Sequence, residues 1–240
     1  MIRRRFTLGT RQSPLALYQT NLVAGLIAQA RSDLDIEIVR FESSGDRMLE
    51  IPAPQLAADA FTDTIENALS AGEIDAAVHS LKDLPLDATR GLIVAAVPVR
   101  ADPREALVCA TQMTLAHLPA GSVVGTSSER RAAAVLRLRP DLKVRPIRGA
   151  VDVRVAMVLN GEYDAALLAL AGLERLGLLG NVTEIFDLAT MPPAAGQGAL
   201  AVQCRDDDTF ALGVLANIDD IALHKAVDGE LAASMRHLRS

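Results

Sequence analysis

The feature that most narrows what this chain can fold into is an alternation. Short apolar runs of strand length trade places with segments of helical spacing, and they do so in two separate sets. In the first set Phe6–Gly9 reads as a strand. Pro14 then opens the series Leu15, Leu17, Leu22, Val23, Leu26 and Ile27, with Ser13 at the N-cap. Ile36–Phe41 alternates as a strand, and Ile51–Ala58, which carries two prolines, reads as a loop. Phe61–Ala71 is helix-like, Ala76–Val78 is a short apolar run of the kind found in buried strands, and Leu92–Val97 is a further strand. Pro98–Pro103 reads as a crossover into the second set. There Val123–Gly125, Lys143–Ile147 and Ala165–Leu170 are predicted strands, and Glu129–Leu138 and Val151–Leu159 are predicted helices. The Gly/Pro-punctuated Met191–Gly198 marks a second crossover. Ala199–Val202 reads as a strand returning to the first set, and Ile221–Leu238 as a terminal helix. No repeat or low-complexity tract interrupts this order.

Two alternating sets joined by two crossovers predict an α/β protein of two lobes with a cleft between them. The expected boundaries are 1–97 plus 196–217 for the first lobe and 98–195 for the second. Residues 218–240 are expected to form a C-terminal helix that lies on the lobes or pairs with another chain, including a second copy. The 240 residues suffice for such cores.

Charge and composition exclude several classes. A net charge of −6 argues against a general nucleic-acid binder, and the absence of Trp disfavours base-stacking platforms. Of the 24 basic residues only Lys82, Lys143 and Lys225 are lysines; arginine is the better fork for carboxylates, although genome composition can produce the same bias. The two cysteines, Cys109 and Cys204, sit in apolar runs and read as free and buried, with no disulfide framework and no metal site. Arg3-Arg-Arg5-Phe6 is followed by Thr7, Gly9, Thr10 and Arg11 rather than an apolar stretch, so it is not an export signal. No run reaches membrane-spanning length, and a cytoplasmic protein is expected.

The densest chemistry lies in Ala76-Ala-Val-His-Ser-Leu-Lys-Asp-Leu-Pro85. An apolar strand turns abruptly polar, and open α/β sheets place ligands just past strand carboxyl ends. His79, Ser80, Lys82 and Asp83 bring a ring base, a hydroxyl, an ammonium and a carboxylate together; a solvated strand-to-loop transition is an equal reading of these residues alone. Gly125-Thr-Ser-Ser-Glu-Arg-Arg131 ends a strand at a glycine and begins a helix, whose free N–H groups and dipole favour an anion. The blander reading is that Thr126, Ser127 and Ser128 cap the helix. For Arg137, Arg139 and Arg145 ordinary helix and strand surface is the better reading.

The motif VHSLKDLP resembles the signature of porphobilinogen deaminases, also called hydroxymethylbilane synthases. Thr10-Arg-Gln-Ser-Pro-Leu-Ala-Leu17, Ser44-Gly-Asp46, Asp102-Pro-Arg104, Gly125–Arg131, Ile147-Arg-Gly149, Asn160-Gly-Glu-Tyr-Asp-Ala165, Ala171-Gly-Leu173 and Ala195-Gly-Gln-Gly198 resemble further family blocks, in family order. The resemblance implies two lobes like those of periplasmic binding proteins. It also implies a transferase that takes porphobilinogen as substrate, removes ammonia and joins pyrrole units. By the same resemblance Asp83 is the carboxylate that stabilises the cationic azafulvene intermediate. Arg11, Arg130, Arg131, Arg148 and Arg154 match positions that line the cleft and hold carboxylates, and Ser13, Ser80, Lys82, Thr126, Ser127, Ser128 and Gln197 are expected as further substrate-binding residues, Gln197 by its resemblance to a position near the hinge. Phe61 matches the family's cleft phenylalanine, although an isolated Phe opening a helix is more often core. No nucleic-acid or membrane partner is implied.

Three departures qualify this. Ala58 and Asp63 stand where the family's active-site loop has lysines, and a carboxylate at position 63 repels a polycarboxylate chain. The family attaches a dipyrromethane cofactor through a cysteine that neither Cys109 nor Cys204 matches, so no covalently bound cofactor is expected. The chain stops at Met235–Ser240, near where that attachment segment begins, so the family's third domain is expected to be absent. Two functions follow as expectations. One is an enzyme that couples porphobilinogen without a covalent primer and gives a short linear oligopyrrole; the other is a cofactor-less porphobilinogen or pyrrole-carboxylate binding protein without turnover.

Overall fold

Phe6, Thr7, Leu8, Gly9 and Thr10 are all buried, on both faces of the first strand, β1 (Arg4–Arg11), the pattern of an interior strand in a parallel sheet. The computed structural model describes residues 3–48, 57 and 59–239, except the side chains of 237–239. The proline-containing loop expected over Ile51–Ala58 therefore lies, apart from Ala57, outside the described residues, as does Ala58 itself.

The chain divides into two units. The first holds Met1–Arg47, Ala57–Ala101 and Ala195–Ser240; the second is chiefly Asp102–Ala194. In the first unit, α1 (Pro14–Ala30) follows β1, with Ser13 Oγ accepting from the Ala16 amide at its N-cap. β2 (Leu34–Phe41), the short α2 (Ser44–Arg47), α3 (Asp63–Ser70), β3 (Ala76–Ser80) and β4 (Leu92–Ala96) come next. The chain returns from the second unit as β10 (Leu200–Arg205), followed by α7 (Thr209–Leu215) and α8 (Ile221–Arg239). The sheet order is β2-β1-β3-β10-β4. β1 runs parallel to β2 and β3, whereas the returning β10 is antiparallel to β3 and β4, with Ala201 opposite His79 and Gln203 opposite Ala77. Phe6, Leu8, Val23, Ile27, Val78, Val202 and Val214 build its core. α8 packs on this unit through fully buried Val227, with Leu223 and Leu231 beside it, against Leu81, Val97, Ala199 and Ala201.

The second unit repeats the pattern with β5 (Glu105–Cys109), β6 (Val123–Gly125), α4 (Glu129–Leu138), β7 (Lys143–Arg145), α5 (Val151–Leu159), β8 (Ala165–Ala169), α6 (Leu170–Arg175) and β9 (Val182–Ile185). Its order is β7-β6-β8-β5-β9, with β6 parallel to β7 and β8 and β5 antiparallel to β8 and β9.

Gly198 sits where the outgoing and returning segments run side by side. The Ala101 amide donates to its carbonyl at 3.0 Å, and its φ is +88°. A Cβ there would lie 2.3 Å from the Ala101 carbonyl oxygen. Gly198→Ala is expected to cost about 1–3 kcal/mol from the backbone conformation alone, with the clash adding to it. Urea unfolding checks this, and a wild-type midpoint would refute it.

Candidate functional site

In the first unit the carboxyl end of β1 and the β3-to-turn transition open onto one pocket that is partly open to solvent. Its lining includes Arg11, Ser13, Gln19, Phe61, His79, Ser80 and Asp83. Four residues expected from the sequence, Arg11, Ser13, Ser80 and Asp83, thus meet in one place. Asp83 closes a 3₁₀ turn, Leu81–Asp83, that begins directly after β3.

Arg11 is oriented from two sides. Its Nε donates to Asp46 Oδ2 at 3.0 Å, its Nη2 bonds Asp46 Oδ1, and its guanidinium lies over the Phe61 ring, 4.8 Å from the centroid. Gly45 makes this possible, because a Cβ there would come within 2.6 Å of that ring. Burial pulls the Arg11 pKa down, but Asp46, and more weakly Asp83, outweigh it and hold the cation. Burial raises the Asp46 pKa, yet its bonds from Arg11 and Ser43 leave it below the usual carboxylate range. The Ser44-Gly-Asp46 block is therefore the support of Arg11.

His79 is buried, and burial followed by the Arg11 charge pushes its pKa down to about 4, against a smaller opposing contribution from Gln203. Gln19 and Ser80 bond each other: Gln19 Nε2 donates to Ser80 Oγ at 3.0 Å. Lys82 and Gln197 do not line the pocket. Lys82 Nζ donates to Gln197 Oε1 at 3.1 Å, and the Gln197 carbonyl accepts from Arg100 Nε at 3.1 Å. Asp63 turns its carboxylate onto the backbone amides of Ser44 (3.3 Å) and Thr64 (2.7 Å). Burial opposes ionisation there, but these bonds prevail and lower its pKa.

The remaining expected residues belong to the second unit. Ser127 Oγ donates to the Ile147 carbonyl (2.7 Å) and lies 3.1 Å from the Ile147 amide. Thr126 Oγ1 accepts from the Ser128 amide (3.2 Å), and Ser128 Oγ caps α4 at the Arg131 amide (3.5 Å). Thr126 and Ser128 thus bond within their own turn, with Ser128 as the helix cap, whereas Ser127 ties that turn to Ile147 at the end of the neighbouring strand segment. Arg130 and Arg131 converge on Glu105, whose side chain is wholly buried: Arg130 Nη2 is 2.5 Å from Oε1 and Arg131 Nη2 is 2.7 Å from Oε2. Arg131 Nη1 also donates to the Leu167 carbonyl at 3.2 Å. Burial raises the Glu105 pKa, but the two guanidiniums override it and hold the carboxyl below its ordinary value. Arg154 Nε donates to the Gly149 carbonyl at 2.7 Å, and Arg148 Nη2 lies 3.4 Å from the Met48 carbonyl.

Sequence reasoning placed His79 in the stretch without assigning it to the site, and it missed Gln19. The signal for Gln19 was available: a glutamine sharing the buried stripe Ala16, Thr20, Val23 and Ile27 of α1. Cys109 and Cys204 are free and buried, and neither lines this pocket. Among the described residues no cluster could hold a metal ion, and no helix is long and apolar enough to cross a membrane.

This two-sheet α/β fold is that of two-lobed binding proteins. The methionine binding protein MetQ superposes with a TM-score of 0.57 at 14% identity, covering 95% of each chain. The BenM effector binding domain with benzoate superposes at 0.55, also at 14% identity, over 95% of this chain and 96% of that one. Residues 6–212 match the family described as porphobilinogen deaminase, dipyromethane cofactor binding domain. The porphobilinogen deaminase of Acidothermus cellulolyticus is 46% identical over 230 residues, covering 94% of this chain and 69% of that protein. That of Roseiflexus sp. is 45% identical over 226 residues, covering 94% and 75%. The chain belongs to the porphobilinogen deaminase family.

Proposed function

We propose that this chain binds porphobilinogen and converts it, releasing ammonia and coupling pyrrole units, with Asp83 as the catalytic carboxylate. The observation that carries this reading is the shared pocket of Arg11, Ser13, Ser80 and Asp83. The C–N bond of the aminomethyl group, protonated as an ammonium, breaks and ammonia leaves with the electron pair. The azafulvene cation left behind is attacked by the free ring carbon of a second pyrrole. The new C–C bond forms, and that carbon's proton passes to a base. Asp83 suits both the stabilisation of the cation and the acceptance of the proton. Arg11, fixed by Asp46, suits a substrate carboxylate.

The cofactor named in the family description needs a reactive thiolate for covalent attachment, and the cysteines of this chain do not fit. Cys109 and Cys204 are buried, and burial, then Asp208, pushes the Cys204 thiol up to about 11, so it stays protonated. The reading is therefore coupling without a primer on either cysteine and release of a short linear oligopyrrole. Asp63, a carboxylate where the family has a lysine, favours a second reading, a pyrrole-carboxylate binder without turnover.

The test is incubation with porphobilinogen, following ammonia release and the masses of small products and denatured protein. Ammonia release, free oligopyrroles and an unchanged protein mass are expected. Binding without ammonia release selects the second reading, and a dipyrrole mass on Cys109 or Cys204 overturns the absence of a primer there.

A further inference from the structure

Behind the pocket lies a buried polar chain that the proposed reaction does not use. Glu66, on α3, is 4% exposed and forms no ion pair among the described residues. Its Oε2 accepts from Thr89 Oγ1 at 3.0 Å and Thr62 Oγ1 at 3.2 Å, and its Oε1 accepts from Gln203 Nε2 at 2.9 Å. Gln203, on β10, is also 4% exposed. Because Gln203 pairs with Ala77 and His79 with Ala201, their side chains stand on the same face of the sheet as diagonal neighbours, within reach of each other.

We propose that His79 is held in its Nε2-protonated tautomer, so that Nδ1 accepts a hydrogen bond from an N–H group of the pyrrole ligand, with Gln203 and Glu66 as the positioning residues that set this tautomer. The ligand half rests on the function proposed above; the tautomer half does not.

The argument is one of donors and acceptors. A carboxylate only accepts, so Gln203 must turn its NH₂ to Glu66 and its carbonyl away. Two buried atoms of these diagonal neighbours are then left without a hydrogen-bond partner, Gln203 Oε1 and His79 Nε2, and Gln203 favours the protonated His79 ring, as an acceptor beside it does. An amide carbonyl also only accepts, so an imidazole nitrogen that pairs with it must carry the hydrogen; Nε2 is the buried, unpartnered one, and a neutral ring then has its lone pair on Nδ1. Nδ1 is not among the buried atoms lacking partners and makes no hydrogen bond within the described chain, and His79 lines the Arg11–Asp83 pocket. Nδ1 is therefore the nitrogen open to a ligand. Burial and Arg11 keep the ring neutral down to about pH 4, so it acts as an acceptor and not as a second cation. A pyrrole bearing an ammonium supplies N–H donors of the matching kind.

The test is ring-nitrogen NMR of ¹⁵N-histidine-labelled protein near neutral pH, with His79→Gln identifying the His79 signals among the 4 histidines. Wild type should show His79 as a single Nε2–H tautomer. Gln203→Leu, which removes the acceptor, and the near-isosteric Glu66→Gln, which frees the amide to turn, should each give a tautomer mixture while circular dichroism stays that of wild type. An Nδ1–H tautomer in wild type, or unchanged His79 signals in folded Glu66→Gln, overturns the tautomer assignment. Porphobilinogen at saturation should move the Nδ1 resonance; binding seen by calorimetry with Nδ1 unmoved overturns the ligand contact. Absence of any porphobilinogen binding defeats the proposed function and the ligand contact together, and the tautomer result still stands or falls on the spectra.

Discussion

Replacing Glu105 with Gln is expected to destabilise the protein by about 3–5 kcal/mol, the scale of breaking a buried ion pair by removing one partner. The Glu105 side chain is wholly buried at the start of β5, and its two oxygens face two guanidiniums. Arg131 carries most of the expected loss, because its side chain is only 9% exposed and would be left charged in the interior without its counter-ion. Arg130, whose side chain is 33% exposed, recovers much of its hydration. Urea unfolding of wild type and Glu105→Gln measures the difference, and a loss under about 1 kcal/mol would show that the cluster is not a buried pair in the usual sense. The pH dependence has a definite sign. Because the folded-state pKa of Glu105 is depressed, its contribution is present above the unfolded value of about 4.3 and fades as pH falls through the folded one. Wild type and variant should therefore converge in stability in acid. The cluster also changes how arginine variants are read: Arg131→Leu removes a structural partner of Glu105, so a binding loss in that variant counts only after stability has been measured alongside.

Asp83→Asn should leave porphobilinogen binding nearly intact and reduce ammonia release by about 10²-fold or more, the usual scale for a positioned acid–base or electrostatic group. Asparagine keeps the shape and loses the charge. The carboxylate gains most where positive charge moves from the departing ammonium onto the pyrrole, so placed beside the ring it favours the transition state over a ground state whose ring is neutral. Position supports this role. Asp83 shares the pocket with Arg11, and its charge is felt at the Arg11 guanidinium, which strong bonds to Asp46 hold in place. Ammonia release and binding affinity measured on the same preparations separate the possibilities. Equal turnover in the two proteins would make Asp83 structural. Binding without turnover in wild type would leave the pyrrole-carboxylate binder as the remaining function.

Element type followed from local pattern wherever that pattern was strong. Glu129–Leu138 and Val151–Leu159 form helices with the expected bounds, and the apolar runs at Ala76, Ala165 and Ala199 became the interior strands β3, β8 and β10. Ala199–Val202 could be predicted to return to the first set because Gly/Pro punctuation precedes it, and β10 does pair with β3 and β4. The strands β5 and β9 carry no such local pattern. β5 opens on a glutamate, which locally argues against burial, and β9 is a half-exposed four-residue edge. The short helices α6 and α7 carry too few turns to show a period. Site residues divide in the same way. Arg11, Ser13, Ser80 and Asp83 lie at strand ends or helix starts, where sequence position predicts exposure to a ligand. The partners that orient them are far away along the chain: Asp46 for Arg11, Gln19 for Ser80, and Glu105 for Arg130 and Arg131. Arg139, which reads as helix surface, instead donates to the carbonyls of Leu115, Ala116 and Leu118. Hydrophobic periodicity and capping act over a few residues, so the sequence alone determined the elements and the residue types at their ends. A hydrogen bond depends on distance and angle between atoms that only packing brings together, so the tertiary structure alone decided which way each charged side chain points.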